Sequence, residues 1–394
     1  MITRFGSLYA GHVDLDDHGL DATPVNDRWL PDERLVTVFD KATRIAKLMD
    51  RCGYDVFWLA EHHFQREGYE CIPNILMLAV HLAHMTERIK FGCGFNVVPM
   101  WHPLRLAEDF ATADYLTGGR VLFGVGRGYH TREVEAFGAP MLDANENREL
   151  FEEQVEIIFK AFNERSFAHH GKHYTIPPRV AYRGYELEEI TLVPRPLHRP
   201  VDCWQPIVSA IPRGLDFMAR HGIKGVIGGG AASGGAGSKT VSAWQEALAR
   251  QGRETELGTD LVIGLTFHIA DSEDQALREA TPFFEEWMKM FAPLGFVRGL
   301  TDEQVQALAD PARARRTPLP TLPEAVRSGA WMVGPPERIV EQLLELQDLY
   351  PGLQEVHVGQ VVGTDERVIL EQLERFAREV MPAFKAANRQ ATLR

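Results

Sequence analysis

Glu61, His62 and His63 directly follow the apolar run Phe57-Trp58-Leu59-Ala60, so a carboxylate and two imidazoles stand together at the end of a β-rich segment. Imidazole titrates near neutral pH and can give or take a proton there. His62, with Glu61 and His63, is therefore the candidate acid–base set. The plainer alternative is a histidine that only bonds a neighbouring carboxylate, with Glu61 the nearest. Arg127, between Gly126 and Gly128, suggests a second chemistry. A guanidinium fork beside two glycines offers several donors and a close backbone approach, which suits a phosphate. The stretch Ser209-Ala210-Ile211-Pro212-Arg213-Gly214 enters a helix pattern whose N-terminus favours an anion. If Arg127 and the Ser209 loop follow adjacent strands, they can hold one phosphate between them. A surface arginine paired to a carboxylate is the alternative.

These groups need elements to position them. Strand patterns fall at Arg4–Tyr9, Asp55–Ala60, Ile89–Phe95, Arg120–Gly126, Pro206–Ala210, Lys224–Gly228, Leu261–Ile269 and Glu355–Gln360. A helical pattern follows each. After Asp32, apolar residues at Leu35, Val38, Ala42, Ile45 and Met49 share one helical face, and Gly53 stands where a left-handed stop is wanted. Comparable patterns span Asn74–Thr86, His102–Leu116, Asn147–Phe162, Gly214–His221, Lys239–Gln251, Glu337–Leu349 and Glu366–Val380. Eight strand–helix units predict an α/β fold, a (β/α)₈ barrel, although an open doubly wound sheet shows similar alternation. In a barrel the strand ends carry the chemistry. That rule selects Glu61–His63 after strand two, Asn96 after strand three, Arg127 after strand four and Ser209 after strand five. Tyr9, Phe95, Trp101 and Tyr129 are candidate pocket walls.

Two stretches break the alternation. Residues 165–203 are rich in Pro, His, Tyr and Arg and read as an insertion after helix four with a short hairpin. Residues 292–327, between strand seven and its helix, hold five prolines and read as a lid-like segment or a solvated loop. The whole chain, 1–394, reads as one domain.

Three near-motifs carry little. Gly124-Val125-Gly126-Arg127-Gly128-Tyr129 resembles a dinucleotide fingerprint, but Tyr129 holds the final glycine's place. Gly228–Lys239 is glycine-rich, yet Ser238 stands where a phosphate loop needs glycine before lysine; a loop over the barrel mouth is expected. His81, His84 and Glu87 are spaced like a metal face, but Leu, Ala and Met surround them, and no metal is expected.

Composition narrows the partners. Lys plus Arg total 42 against 55 Asp plus Glu, a formal −13 without a basic stripe, which disfavours nucleic acid. No run of ~18 apolar residues is present to span a membrane, and Met1-Ile2-Thr3-Arg4 opens no secretory signal. Cys52, Cys71, Cys93 and Cys203 stand far apart, so a reduced, cytoplasmic setting is expected. The helix after strand two, from Asn74 to Met85, is apolar nearly all round, which calls for a second buried contact and points to a homodimer.

Asp55-Val56-Phe57-Trp58-Leu59-Ala60-Glu61-His62-His63-Phe64 is similar to the strand-two signature of the bacterial luciferase-like flavin monooxygenases. His102-Pro103-Leu104-Arg105-Leu106-Ala107-Glu108-Asp109 and Gly119-Arg120-Val121-Leu122-Phe123-Gly124-Val125-Gly126-Arg127-Gly128 resemble the same family. So do Val193-Pro194-Arg195-Pro196, Val333-Gly334-Pro335-Pro336-Glu337 and Val380-Met381-Pro382. Six short motifs thus occur in order along nearly the whole chain.

The resemblance implies a barrel that takes reduced FMN from a separate flavin reductase. With O₂ the flavin forms a hydroperoxide, which oxygenates a small organic substrate such as an aldehyde, ketone or aromatic. It implies His62 as the base, Arg127 on the FMN phosphate with Gly128 and Tyr129 among the cofactor-binding residues, and Ser209, Ala210 and Arg213 completing the phosphate site. Gly94 and Phe95 would form a cis peptide beside the flavin ring, next to Asn96, and two chains would pair. Luciferase's reactive cysteine is replaced by Gly126, and Ser209-Ala210-Ile211-Pro212-Arg213 departs from its phosphate loop, so light emission is not expected. Rival readings are a deazaflavin-dependent dehydrogenase on the same barrel, a non-catalytic flavin-binding relative, and a phosphosugar isomerase or aldolase. No strand candidate ends in the lysine that an aldolase would use.

Overall fold

The computed structural model describes residues 1–228, 236–297 and 299–392. Among them, eight parallel strands form the barrel: β1 (Arg4–Tyr9), β2 (Val56–Leu59), β3 (Lys90–Cys93), β4 (Val121–Gly126), β5 (Cys203–Pro206), β6 (Lys224–Ile227), β7 (Leu261–Ile269) and β8 (Glu355–Gly359). Cys203 pairs with Phe123 between β4 and β5, and Arg4 with Glu355 between β1 and β8, so the sheet closes. Of the two architectures that the alternation allowed, the structure is the closed barrel.

Outer helices follow: α1 (Thr37–Cys52), α2 (Ile75–Ala83), α3 (Pro103–Leu116), α4 (Ala144–Asn163), α5 (Pro212–His221), α6 (Ala236–Arg250), α7 (Glu273–Phe291), α8 (Pro336–Leu349) and α9 (Glu366–Arg375). The apolar stripe expected on α1 is the face it buries: Val38, Ala42, Ile45 and Met49 lie in the core. Gly53 ends that helix at φ +82°, a conformation glycine adopts without strain. Asn74 caps α2, its side chain accepting from Met77 N at 2.9 Å.

Glycine lets the bore fill with aromatic rings. Trp58 of β2 meets Trp204 of β5 at 5.8 Å and His357 of β8 at 5.0 Å between ring centroids. Val56, Val262, Leu122 and Val226 complete this plug. The Trp58 indole lies on Gly92, where an added Cβ would come within 2.3 Å of the ring. At the N-terminal end, Glu355 accepts from Arg4 Nε at 3.0 Å and faces His357 Nε2 at 3.3 Å.

Three elements depart from the sequence expectation. Strand five was expected at Pro206–Ala210 but is Cys203–Pro206. The apolar run that carried the β signal lies past the strand's end, with Val208 56% exposed. The helix α7, with Pro282 inside it, was not expected; it buries Ala276, Ala280, Phe283, Phe284 and Met288. Residues 292–327 hold three short helices, Asp302–Ala307, Pro311–Ala314 and Leu322–Arg327, rather than a solvated loop. Capping boxes at Thr301 and Thr321 start two of them, and Leu308 and Leu322 pack with α7 and Trp331 in a second core. Residues 165–203 contain two short antiparallel pairs, His169–His170 with Thr175–Ile176 and Val180–Tyr182 with Tyr185–Leu187. The stretch Gly228–Lys239 expected to loop over the mouth lies largely outside the described residues.

The contact of Trp58 with Gly92 leaves no room for a methyl group. Gly92→Ala should therefore overpack the bore and cost ~1–3 kcal/mol. Urea unfolding would measure this, and an unchanged midpoint would show that the indole can move aside.

Candidate active site

Strands β2, β3 and β4 deliver their chemistry at adjacent C-terminal ends. The chain leaves β2 through Glu61-His62-His63, and β3 through a cis Gly94–Phe95 peptide into Asn96 and Val97. These last two pair with Val125 and Gly126 of β4. From β4 the chain runs through Arg127-Gly128-Tyr129-His130 into a short helix, Thr131–Ala136, that carries Glu133.

Glu61 and His62 take different partners. Glu61 accepts from Val97 N at 2.7 Å and Trp101 Nε1 at 2.8 Å, and its Oε1 lies 3.2 Å from His63 Nε2. It thus pins the segment beyond β3 and holds His63, not His62. His62 is buried, with Nδ1 3.2 Å from Glu133 Oε2, and Gln65 donates to the same carboxylate at 2.9 Å. The Glu133 carboxylate favours a proton on Nδ1, and Nε2 is the nitrogen turned toward the other groups of the site. That Nε2 lies 3.1 Å from the Tyr129 hydroxyl and 3.3 Å from Glu70 Oε1. Tyr129 donates to Glu70 at 2.7 Å, and His130 Nε2 sits 2.9 Å from the other Glu70 oxygen.

Burial works against a charged His62, but Glu70, Glu133 and Glu61 outweigh it and raise the imidazole above its ordinary value. Burial likewise opposes ionisation of Glu133; the His62 hydrogen bond and the charges of His62 and His130 prevail and hold its carboxyl below the usual range. Tyr129 is pushed well up by burial and by Glu70, so it stays protonated.

Arginines gather on the other side of β4. Arg127 donates to Asn147 Oδ1 at 3.1 Å, and Asn147 Nδ2 donates back to the Arg127 carbonyl at 3.3 Å. The next residue of α4, Arg148, reaches the first turn of α5: a Cβ on Gly214 would meet its Nη1 at 3.3 Å. Arg213 is on that same turn and donates to Glu152 at 2.8 Å. Burial and the neighbouring cations Arg148 and Arg213 depress the Arg127 guanidinium, against the opposing pull of Glu152. Three guanidiniums, with Glu152 and Glu149 beside Arg213, gather positive charge here in a chain of net charge −13. A phosphate dianion matches that donor set.

The residues expected from sequence therefore divide. Arg127 and Arg213 join the cationic side, with Ser209 and Ala210 exposed just before α5. Tyr129, expected as a cofactor-binding pocket wall, joins His62. Gly94, Phe95 and Asn96 lie between, where Asn96 donates to the Gly124 carbonyl at 2.8 Å while its buried Oδ1 has no partner among the described residues. Gly128 has φ +81°, and a Cβ there would come 2.5 Å from Val134. Sequence reasoning missed Glu70, Glu133, Gln65, His130, Asn147 and Arg148. Only Arg148 left a signal, as a cation four residues before Glu152 and one after the residue that clamps Arg127.

A sequence profile described as luciferase-like monooxygenase matches residues 11–351. The oxygenase component of a flavin-dependent trigonelline monooxygenase from Acinetobacter baylyi is 25% identical over 368 residues, 90% of this chain and 93% of that protein. An uncharacterized Sinorhizobium fredii protein, y4vJ, is 33% identical over 133 residues, and that match covers 34% of this chain and only 36% of the relative. Among solved structures, the oxygenating constituent of 3,6-diketocamphane monooxygenase from Pseudomonas putida, in complex with FMN, superimposes with TM-score 0.69 at 20% identity, covering 97% of this chain and 99% of that one. An F420-dependent secondary alcohol dehydrogenase has the same fold, with TM-score 0.65 at 14% identity over 98% of this chain and 99% of that one.

With its pKa raised by the three carboxylates, His62 contributes stability that is fully present below pH ~6.5 and is lost as the pH rises through its folded value. An NMR titration should place its midpoint above ~6.5. Glu133→Gln, which removes one of those charges, should lower the midpoint. The same midpoint in both proteins would show that Glu133 does not set the proton affinity.

Proposed function

Because the chain belongs to the luciferase-like monooxygenase family, we propose that it is the oxygenase component of a two-component system that uses FMN, reduced by a separate flavin reductase, to oxygenate a small organic substrate. The observation that carries this reading is the division of the barrel mouth, with Arg127, Arg148 and Arg213 on one side of β4 and the buried His62–Glu133 pair on the other. Bound reduced flavin would supply the electrons and activate O₂. Arg127, Arg148, Arg213 and the first turn of α5, with Ser209 and Ala210 before it, would hold the phosphate. Gly94, Phe95 and Asn96 would border the ring, and the unpartnered Asn96 Oδ1 is suited to a ring N–H.

His62 moves the proton at Nε2. Glu133 keeps the proton on Nδ1, orients the ring and stabilises the imidazolium when it forms, while Tyr129 stays protonated beside Nε2. Glu61 and His63 act by positioning the segment beyond β3. Phe296, from the 292–327 segment, rests on the Tyr129 ring at 4.8 Å and supports reading that segment as a cover that keeps water out. We read residues 1–394 as one barrel domain, with 165–203 as an insertion. The described residues include no helix long and apolar enough to cross a membrane, and the four unpaired cysteines support a reducing, cytoplasmic setting.

Two measurements test the cofactor. The native chain should take up O₂ when given reduced FMN and substrate; hydride transfer with a deazaflavin and no O₂ uptake would favour the dehydrogenase reading instead. Arg127→Ala should weaken FMN by ~1.5–3 kcal/mol, about 10- to 150-fold, and barely change riboflavin, which lacks the phosphate. Equal loss for both ligands would place Arg127 away from the phosphate.

We also propose a homodimer through α2 and α3. Leu78 and Leu82 of α2 face the core, whereas Met77 is 72% and Met85 44% exposed, and Tyr115 and Leu116 at the end of α3 are exposed too. Sedimentation should show a dimer that Met77→Glu together with Met85→Glu converts to monomer. A monomeric native chain would end the proposal.

A further inference from the structure

His62, Glu70 and His130 come from two separate chain segments and are each more than nine-tenths buried. One ligand-capable atom from each lies within 4.8 Å of the other two. We propose that these three side chains form a binding site for a divalent transition metal of the Zn²⁺ class, with the Tyr129 hydroxyl next to the fourth position.

The spacing suits the ion. His62 Nε2 lies 3.3 Å from Glu70 Oε1, and His130 Nε2 lies 2.9 Å from Glu70 Oε2. Bonds of ~2.0–2.1 Å to a tetrahedral ion separate neighbouring ligand atoms by about 3.3 Å, and three atoms already within 4.8 Å of one another can draw in to that spacing by side-chain rotation. Two imidazoles and a carboxylate form a donor set that Zn²⁺ takes readily. The Tyr129 hydroxyl is 3.1 Å from His62 Nε2 and 2.7 Å from Glu70 Oε1, which places an oxygen beside the open position.

A second observation comes from the far side of the His62 ring. Its other nitrogen, Nδ1, faces Glu133, and Glu133 in turn accepts from Gln65. A carboxylate behind a ligating imidazole fixes its tautomer and strengthens it as a ligand. The charges agree as well. The cation next along the chain, Arg132, is hydrogen-bonded to Glu67 at 2.8 and 3.1 Å and to Gln65 at 2.8 Å, so among the described residues no arginine pairs directly with Glu70. By contrast, the histidines whose spacing suggested a metal in the sequence are exposed, and His84 Nδ1 is taken up by the Val80 carbonyl at 2.8 Å.

Occupancy would withdraw His62 Nε2 from proton transfer, so the ion would act as an inhibitor. That consequence rests on the proposed role of His62, whereas the site itself does not. The chelator-treated chain, without flavin, should take up one equivalent of Zn²⁺ in competition with a chromophoric chelator. Co²⁺ should bind in its place and show the intense visible bands of a four-coordinate ion. Glu70→Gln and His130→Asn should each weaken Zn²⁺ at least ~10- to 100-fold, and Glu133→Gln should weaken it by a similar factor through His62. Circular dichroism melts would confirm that these variants fold. No stoichiometric uptake by the native chain would overturn the proposal, leaving shared protons as the only link among the three groups. Equal uptake by the native chain and both ligand variants would overturn it too. Because flavin takes no part in this titration, either failure leaves the monooxygenase reading to its own test.

Discussion

Charges brought into the low-dielectric mouth of a barrel must be paired or hydrogen-bonded, and this requirement organises the molecule from the strand ends outward. Glu61, Glu70 and Glu133 are all buried there, and each is claimed by different donors. Glu61 is spent on the segment beyond β3 and on His63, Glu133 on His62 and Gln65, and Glu70 on Tyr129 and His130. The adjacent histidines His62 and His63 therefore part company, because each has a separate carboxylate to satisfy. Substituting one carboxylate would leave particular donors unpaired and not simply lower the negative charge of the pocket.

A single glycine separates the two chemistries. Residues i and i+2 of an extended strand point to the same face, which would send Arg127 and Tyr129 in one direction. Gly128 adopts φ +81° two residues after β4 ends, and the chain turns there. Arg127 is thereby clamped to Asn147 of α4, while the Tyr129 hydroxyl meets His62 and Glu70. A side chain at this position would be strained by the backbone and would also collide with Val134 and Val97.

Much of the scaffold was legible in the sequence because it is written locally. Seven of the eight strands and the stripe of α1 follow from patterns within a few residues, and the strand-end rule then points to His62 and Arg127. Strand five was misplaced because Ile207 and Val208 look like strand residues, although the chain has already left the sheet at Val208. The α7 helix was hidden by Pro282 and by the proline-rich stretch after it. Glu70 and Glu133 were illegible for a different reason. Glu133 meets His62 across 71 positions and Glu70 meets Tyr129 across 59, so no window of sequence contains both partners.

The same pairing rule reaches the cover of the site. Glu286 of α7 is fully buried and accepts from Tyr69 at 2.6 Å, Gly19 N at 3.0 Å, Lys289 at 3.0 Å and Arg28 at 3.2 Å. Three of these four donors, Gly19, Arg28 and Tyr69, fix α7 to the loops that follow β1 and β2. Tyr69 is the peptide neighbour of Glu70, so this anchor also sets where Glu70 stands beneath His62. The 292–327 segment leaves α7 just beyond the anchor and returns as Phe296 on the Tyr129 ring. The acid–base cluster and its cover thus share one rigid support, and the covering contact with Tyr129 is apolar. That contact can part from Tyr129 without stripping any buried charge of its partner, whereas loss of Glu286 would disturb both at once.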